Sequence, residues 1–294
     1  MAVDSNWSSV VLLCPFSSDL TDVKGNTVTV NGDSAISATV GNPFGAGNAC
    51  HFDGTGDYLT VPRLLNSVAL SIGMWVYVSS ATEQAFFSQY NSGSDGRLSL
   101  YINSSGKLEF FIGASSSLLI TDTSTFTTGS WRFIEACRDG SGNAYLFNHG
   151  TLVATGTSTQ VPYNGVSSIG GQYGPTAGLV RPMTGYISQA RVDNGYCRNS
   201  VGYSVPTAVF PRPMLTGTVY DSVGAKASKV VVAIKRSNMT LAGQALSDGT
   251  LGTYTIYPSD FSEHIVAEFD TATYPLVDGG SGENALIYDR VIPG

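Results

Sequence analysis

In the segment Leu98-Ser99-Leu100-Tyr101-Ile102-Asn103-Ser104-Ser105-Gly106-Lys107-Leu108-Glu109-Phe110-Phe111-Ile112, apolar side chains fall at Leu98, Leu100 and Ile102, give way to four small polar residues, and resume at Leu108, Phe110 and Ile112. Successive side chains of a strand point to opposite faces, so a period of two describes a strand buried on one side. Two such runs separated by a short polar turn make a hairpin. The segment is therefore two antiparallel strands with one face in a core.

Working outward, further strand patterns cover 69–78, 131–136, 144–147, 186–192 and 230–234, each bounded by Gly, Asn, Asp or Pro. No segment holds an apolar period of 3.6 residues over three turns. Many short strands joined by polar turns predict an all-β protein built as a sandwich or barrel. The 34 glycines show no Gly-X-Y repeat, so they belong to turns.

A chain of 294 residues is long enough for two domains. Pro206, Pro211 and Pro213 crowd one short stretch, where fixed φ angles and missing N–H donors enforce an extended connection. The boundary is placed there, giving domains 1–211 and 212–294 that fold independently. Strand patterns at 217–220, 230–234, 254–257 and 265–269 supply the smaller one.

Charge narrows the function classes. Fifteen Lys and Arg against 22 Asp and Glu leave a net charge of -7, which argues against a phosphate-rich partner such as nucleic acid. No apolar run approaches the ~18 residues of a membrane span, so membrane insertion is not expected. The start, Met1-Ala2-Val3-Asp4, lacks the basic and apolar regions of an export signal, implying synthesis in the cytoplasm. Cys14, Cys50, Cys137 and Cys197 include no CxxC pair and no histidine at metal-ligand spacing. Four thiols are favoured over two bridges.

Phe52-Asp53-Gly54-Thr55-Gly56-Asp57-Tyr58-Leu59-Thr60-Val61-Pro62 resembles the FDG-x-x-DYL-x-V-P signature of laminin-G-like domains. Four segments follow in that family's order: Leu70-Ser71-Ile72-Gly73-Met74-Trp75-Val76, Gly129-Ser130-Trp131-Arg132-Phe133-Ile134, Tyr145-Leu146-Phe147-Asn148-His149-Gly150, and Ile169-Gly170-Gly171 with Gly185-Tyr186-Ile187-Ser188-Gln189-Ala190-Arg191-Val192. The resemblance spans roughly 7–212 and implies a concanavalin-A-like jelly-roll β-sandwich. His149 inside the usual Asn-Gly turn, and Ser188 where Asp is frequent, depart from the pattern.

The remainder resembles small Ig-like or carboxypeptidase-regulatory-like β-sandwiches, through Gly217-Thr218-Val219-Tyr220-Asp221 and Asp248-Gly249-Thr250-Leu251-Gly252-Thr253-Tyr254. Its ending, Asn284-Ala285-Leu286-Ile287-Tyr288-Asp289-Arg290-Val291-Ile292-Pro293, is similar to the tail of this module in phage virion proteins. What the resemblance implies is a non-enzymatic virion surface protein of a bacteriophage, localised to the virion. It would be a tail or appendage protein binding a host cell-surface glycan or another receptor. The alternative is a capsid decoration or head fibre without specific glycan binding. Its partners would be other virion proteins and copies of itself, a trimer above all.

Candidate ligand-binding residues are Tyr90, Tyr163 and Tyr173, read as exposed loop aromatics. Trp75 and Trp131 sit in strand patterns and are assigned to core packing. Trp7 is read as an anchor of the first strand. Asp53 and Asp57 flank Gly54-Thr55-Gly56 and can either hold a calcium ion or form the turn, turn formation being favoured. No other cofactor is expected.

A glycoside hydrolase, the least favoured reading, needs two carboxylates facing each other across the scissile bond. Glu83, Glu109 and Glu135 each stand alone in the sequence, so hydrolysis is not expected.

Overall fold

The computed structural model describes residues 4–91, 97–113, 118–220, 225–269, 286–291 and 293. Asp221, Asn284, Ala285 and Ile292 of the motifs quoted above lie outside them. The regular elements among the described residues are all strands apart from one 3-10 turn, Trp7–Ser9, and none of those residues forms a helix long and apolar enough to cross a membrane. Two compact units emerge, Ser9–Phe210 and Pro211–Gly294 together with Met1–Ser8.

Ser9–Phe210 packs two antiparallel sheets. One runs edge to edge through Thr151–Thr157, Asn143–Asn148, Arg132–Arg138, Leu70–Val78, Thr184–Asn194, Ala49–Asp53 and Ala35–Ser37, with Val10–Cys14 also pairing to Thr184–Asn194. The other orders Leu118–Thr125, Lys107–Gly113, Arg97–Ile102, Gln84–Tyr90, Val166–Ile169, Tyr58–Val61 and Thr29–Asn31. Between them lies a core in which Leu70, Ile72, Met74, Val76 and Val78 meet Leu98, Leu100, Ile102, Leu108, Phe110 and Ile112. Both sets alternate along their strands, as burial of one strand face requires.

The expected hairpin forms in the expected register, with Leu98 opposite Ile112, Leu100 opposite Phe110 and Ile102 opposite Leu108. Asn103 closes the turn by accepting the Ser105 and Lys107 amides on Oδ1, at 2.9 and 3.1 Å. A second tight turn joins Asn143–Asn148 to Thr151–Thr157. His149 and Gly150 both take left-handed φ, 53° and 80°, as a two-residue hairpin turn with the twist of its strands demands. His149 does the work ordinarily given to Asn. Its imidazole is held by the Phe133 amide, which donates to Nδ1 at 3.3 Å, and lies edge-on to Trp75 at 5.6 Å.

Residues 195–210 do not leave the sandwich directly. They fold back over the outer face of the eight-stranded sheet. Tyr203 packs against Phe147 and Phe133 at 5.2 and 6.4 Å, and Phe210 against Phe133 at 5.9 Å, beneath the Arg191 guanidinium at 4.0 Å. Asn199 donates to the fully buried Glu135 at 2.6 Å.

In the smaller unit, Leu215–Thr218 pairs with Thr253–Ile256, and Thr240–Leu246, Val230–Lys235, His264–Phe269 and Leu286–Val291 make a four-stranded sheet. Leu215, Val219, Val231, Ala233, Ile256 and Val266 form its core. Its Asp248-Gly249-Thr250-Leu251-Gly252 turn is tied by Asp248 Oδ1, which accepts the Thr250 and Leu251 amides at 2.9 and 2.6 Å. Trp7 belongs here rather than to the first strand. Its indole Nε1 donates to the Ser259 carbonyl at 2.7 Å and its ring meets Phe261 edge-on at 5.8 Å. The division thus differs from a cut at 211 by grouping residues 1–8 with the second unit.

Candidate functional site

Positions that alternate with the core residues of the Leu98–Ile112 hairpin point to the outer face of the seven-stranded sheet. They are Arg97, Ser99 and Tyr101 on one strand and Lys107, Glu109 and Phe111 on the next. A solvent face of ordinary composition would carry Thr, Ser and Lys. This one carries rings and opposite charges.

Arg97 lies over Phe111 at 4.5 Å and near Tyr90 at 6.0 Å, and its buried Nε has no hydrogen-bond acceptor among the described residues. Burial, with Arg181 adding to it, lowers the guanidinium pKa from its ordinary value. Arg181 stands over the Tyr101 ring at 4.6 Å, donating from Nε to Glu83 and from Nη1 to Gln172, both at 2.7 Å. Tyr101 in turn donates to Glu109 Oε1, while Asn103 and Thr121 donate to Oε2 at 2.7 and 3.1 Å. Burial raises the Glu109 pKa against the pull of the Thr121 hydroxyl and the Arg181 charge.

A short hairpin, Gln172–Gly174 with Gly178–Val180, edges this face. Gln172 accepts from Ser99 at 3.4 Å, and the Tyr173 amide donates to Ser168 Oγ at 3.2 Å. Gly174 comes so close to the Asn91 carbonyl and the Tyr90 ring that a Cβ would collide with both. The Tyr173 ring stacks on Tyr58 at 4.7 Å, both half-buried. Ring faces, a planar guanidinium and amides at one surface supply what a sugar ring needs, apolar contact for its C–H face and directional partners for its hydroxyls.

Of the three tyrosines expected to be exposed loop residues, two border this face. Tyr90 ends the Gln84–Tyr90 strand and is buried, 9% exposed, which corrects its reading as a loop aromatic. Tyr173 is half-buried on a hairpin strand. Tyr163 lies in a loop, 37% exposed, and its carbonyl accepts from Gln89 at 2.7 Å.

Trp75 is buried, as core packing requires, but outside the core between the sheets. Trp75 alternates with the core residues of Leu70–Val78 and so points out of the sandwich. It is buried there by Phe44, Phe133 and His149, with an indole N–H that has no acceptor among the described residues. Trp131 is half-buried, edge-on to Tyr77 at 5.8 Å. The period-two pattern reports that a residue faces one side of a sheet, not which side holds the main core.

Asp53 and Asp57 are joined by Asp33, all three offering oxygens within 4.8 Å of one another. Asp57 is buried and accepts the Asp33 and Asp53 amides at 2.8 and 2.9 Å, while Asp53 accepts the Thr55 amide at 2.6 Å. These bonds carry the turn. The remaining oxygens of the exposed Asp33 and Asp53 are of the hard type that calcium takes. The Asp33 pKa is raised, first by its hydrogen bond to Asp57 and then by the charges of Asp57 and Asp53.

The sequence model of the concanavalin A-like lectin/glucanases superfamily matches residues 53–197. The match falls within the larger unit, which has the concanavalin A-like jelly-roll fold. Solved structures share the fold of this lectin-like domain at low identity. Domain 4 of AbnA, an extracellular arabinanase of family GH43 from Geobacillus stearothermophilus solved in complex with arabinotriose, aligns at TM-score 0.53 and 19% identity, covering 65% of this chain and 94% of that one. The binding domain of Paraclostridial Mosquitocidal Protein 1 aligns at TM-score 0.53 and 12% identity, covering 98% and 74%. At such identities the likeness is one of fold. No curated protein matches the chain.

Arg97, Arg181 and Asp33 were not singled out by the sequence. A signal for Arg97 was present, since the polar face of the hairpin reads Arg, Ser, Tyr and Lys, Glu, Phe. Arg181 and Asp33 reach their sites only through tertiary folding.

Proposed function

We propose that this chain is a non-enzymatic surface protein of a phage virion, and that its lectin-like domain binds a host-surface glycan on the outer face of the seven-stranded sheet. The observation that carries the binding surface is the Arg97 guanidinium over Phe111 and near Tyr90, its buried Nε having no acceptor among the described residues. A buried donor without a partner costs about 1–3 kcal/mol, a cost that a ligand oxygen would remove. The phage assignment rests on the resemblance of the terminal motif and on the pairing of a laminin-G-like domain with a small Ig-like one.

Carboxylate geometry supports binding rather than hydrolysis. A glycosidase acid must give its proton to the leaving oxygen, and its partner must keep a free oxygen for attack or for activating water. Glu109 is occupied on both oxygens by three donors, Glu83 is paired with Arg181, and Glu135 is buried beneath residues 195–210. Printed arrays of bacterial envelope glycans, followed by a reducing-end assay on every glycan bound, test both parts. Retention of at least one glycan with no release of reducing ends is expected. Release abolished by Glu109→Ala would overturn the non-enzymatic reading. An array without binding would favour a decoration that tightens a capsid or tail.

A further inference from the structure

We propose that Cys137 and Cys197 form a reversible thiol–disulfide pair that fastens residues 195–210 to the outer face of the eight-stranded sheet. The inference is independent of the glycan site, which lies on the other sheet.

The geometry turns on Ser71. Cys137 lies opposite it in the ladder between Arg132–Arg138 and Leu70–Val78, and its Sγ is 3.3 Å from Ser71 Oγ. The same Oγ donates to the Tyr196 carbonyl at 3.0 Å and accepts the Arg198 amide at 2.8 Å. Those groups belong to the two peptide units on either side of Cys197, so one hydroxyl pins Cys197 against Cys137. Both thiols are free, and Cys197 Sγ donates to the Asn199 carbonyl at 3.4 Å. Asn199, two residues on, holds Glu135, which keeps the segment in place from the far side.

The two sulfurs differ in a way that orders their chemistry. Cys137 is fully buried, and burial pushes its pKa well up, with the hydrogen bond to Cys197 adding to the rise. Cys197 is half-buried, and the hydrogen bond from Cys137 lowers its pKa against the opposing effect of burial. Because the thiolate is the nucleophile, Cys197 is the entry point for a small disulfide such as oxidised glutathione.

Cys197 gives up its proton and attacks one sulfur of that disulfide. The small S–S bond breaks, a mixed disulfide forms on Cys197, and the departing thiolate takes the proton. Cys137 then attacks Cys197 Sγ, releasing the second small thiolate, which takes the Cys137 proton. Two protein thiols are oxidised by two electrons and one small disulfide is reduced to two thiols.

The test uses the full chain equilibrated with glutathione at graded oxidised-to-reduced ratios, quenched by alkylation and mapped by non-reducing peptide mass spectrometry. A peptide linking Cys137 to Cys197 and lighter by a pair of hydrogens is expected, together with a higher melting temperature that returns to the starting value on reduction. Cys137→Ser is expected to halt at glutathione on Cys197. The proposal is overturned if wild-type protein keeps both thiols under fully oxidised glutathione, stops at the mixed disulfide, or links a different pair.

Discussion

Asp260 and Lys235 show how single residues set the acid limit of the smaller unit. Burial alone would raise the Asp260 pKa, but the Lys235 ammonium at 2.5 Å and the Ser262 amide at 2.8 Å outweigh it and hold the carboxyl at about 2. A carboxylate depressed in the folded state stabilises above its ordinary value and loses that contribution as pH falls toward the folded one. Asp260→Asn is therefore expected to lower stability by on the order of 1 kcal/mol at neutral pH, solvent screening of a partly exposed pair included. The gap to wild type should close between about pH 4 and pH 2, which urea melts across that range will measure. Other residues carried less in the sequence than in the fold. Tyr90 reads as a loop residue because the polar stretch after it hides the strand before it, and Trp75 reads as core because its alternation has no sign. Asp53 and Asp57 were legible as a turn, while Asp33 joins them only through a pairing between distant segments.

Hairpins were the most legible elements, since their register is set by neighbours in sequence. Leu98 to Ile112 needed only its alternation and its Asn103-Ser104-Ser105-Gly106 turn, and Asp248 to Gly252 only its side-chain acceptor. What covers a strand's second face was not legible. Leu70–Val78 is apolar almost throughout because residues 195–210 and Phe44 shield its outer side, and nothing local to the strand reveals that. The N-terminal turn is a similar case. Trp7 packs 252 residues away in sequence, on Ser259 and Phe261. Removing a buried Trp ring typically costs about 3–5 kcal/mol, so Trp7→Ala is expected to lower the smaller unit's stability by about 3 kcal/mol. Calorimetry that separates two unfolding transitions will show one moved and the transition of Ser9–Phe210 unchanged.

Among the described residues, six of the thirteen large apolar side chains left in solvent belong to the smaller unit, though it is less than half the size of the larger one. Met239, Leu241 and Leu246 are 64%, 59% and 53% exposed on or beside the Thr240–Leu246 strand, which lies at the edge of its sheet. An edge strand offers unpaired backbone groups as well as apolar surface, and closed rings are the common way for copies to cover both. We propose a trimer joined through this unit. Light scattering at micromolar concentrations is expected to give three times the chain mass, and Leu241→Lys a monomer. A wild-type monomer would refute the assembly for free protein.

The lectin-like domain presents two aromatic surfaces, one on each sheet, and the proposed glycan site is the one holding Arg97. Calorimetric titration with a glycan selected on arrays, comparing wild type with Arg97→Ala and Trp131→Ala, separates them. Loss of a charge-assisted hydrogen bond, about 1.5–3 kcal/mol, predicts at least a tenfold weaker Kd for Arg97→Ala and an unchanged Kd for Trp131→Ala. Binding that survives Arg97→Ala and is lost with Trp131→Ala would contradict a site at Arg97 and move it to the eight-stranded sheet.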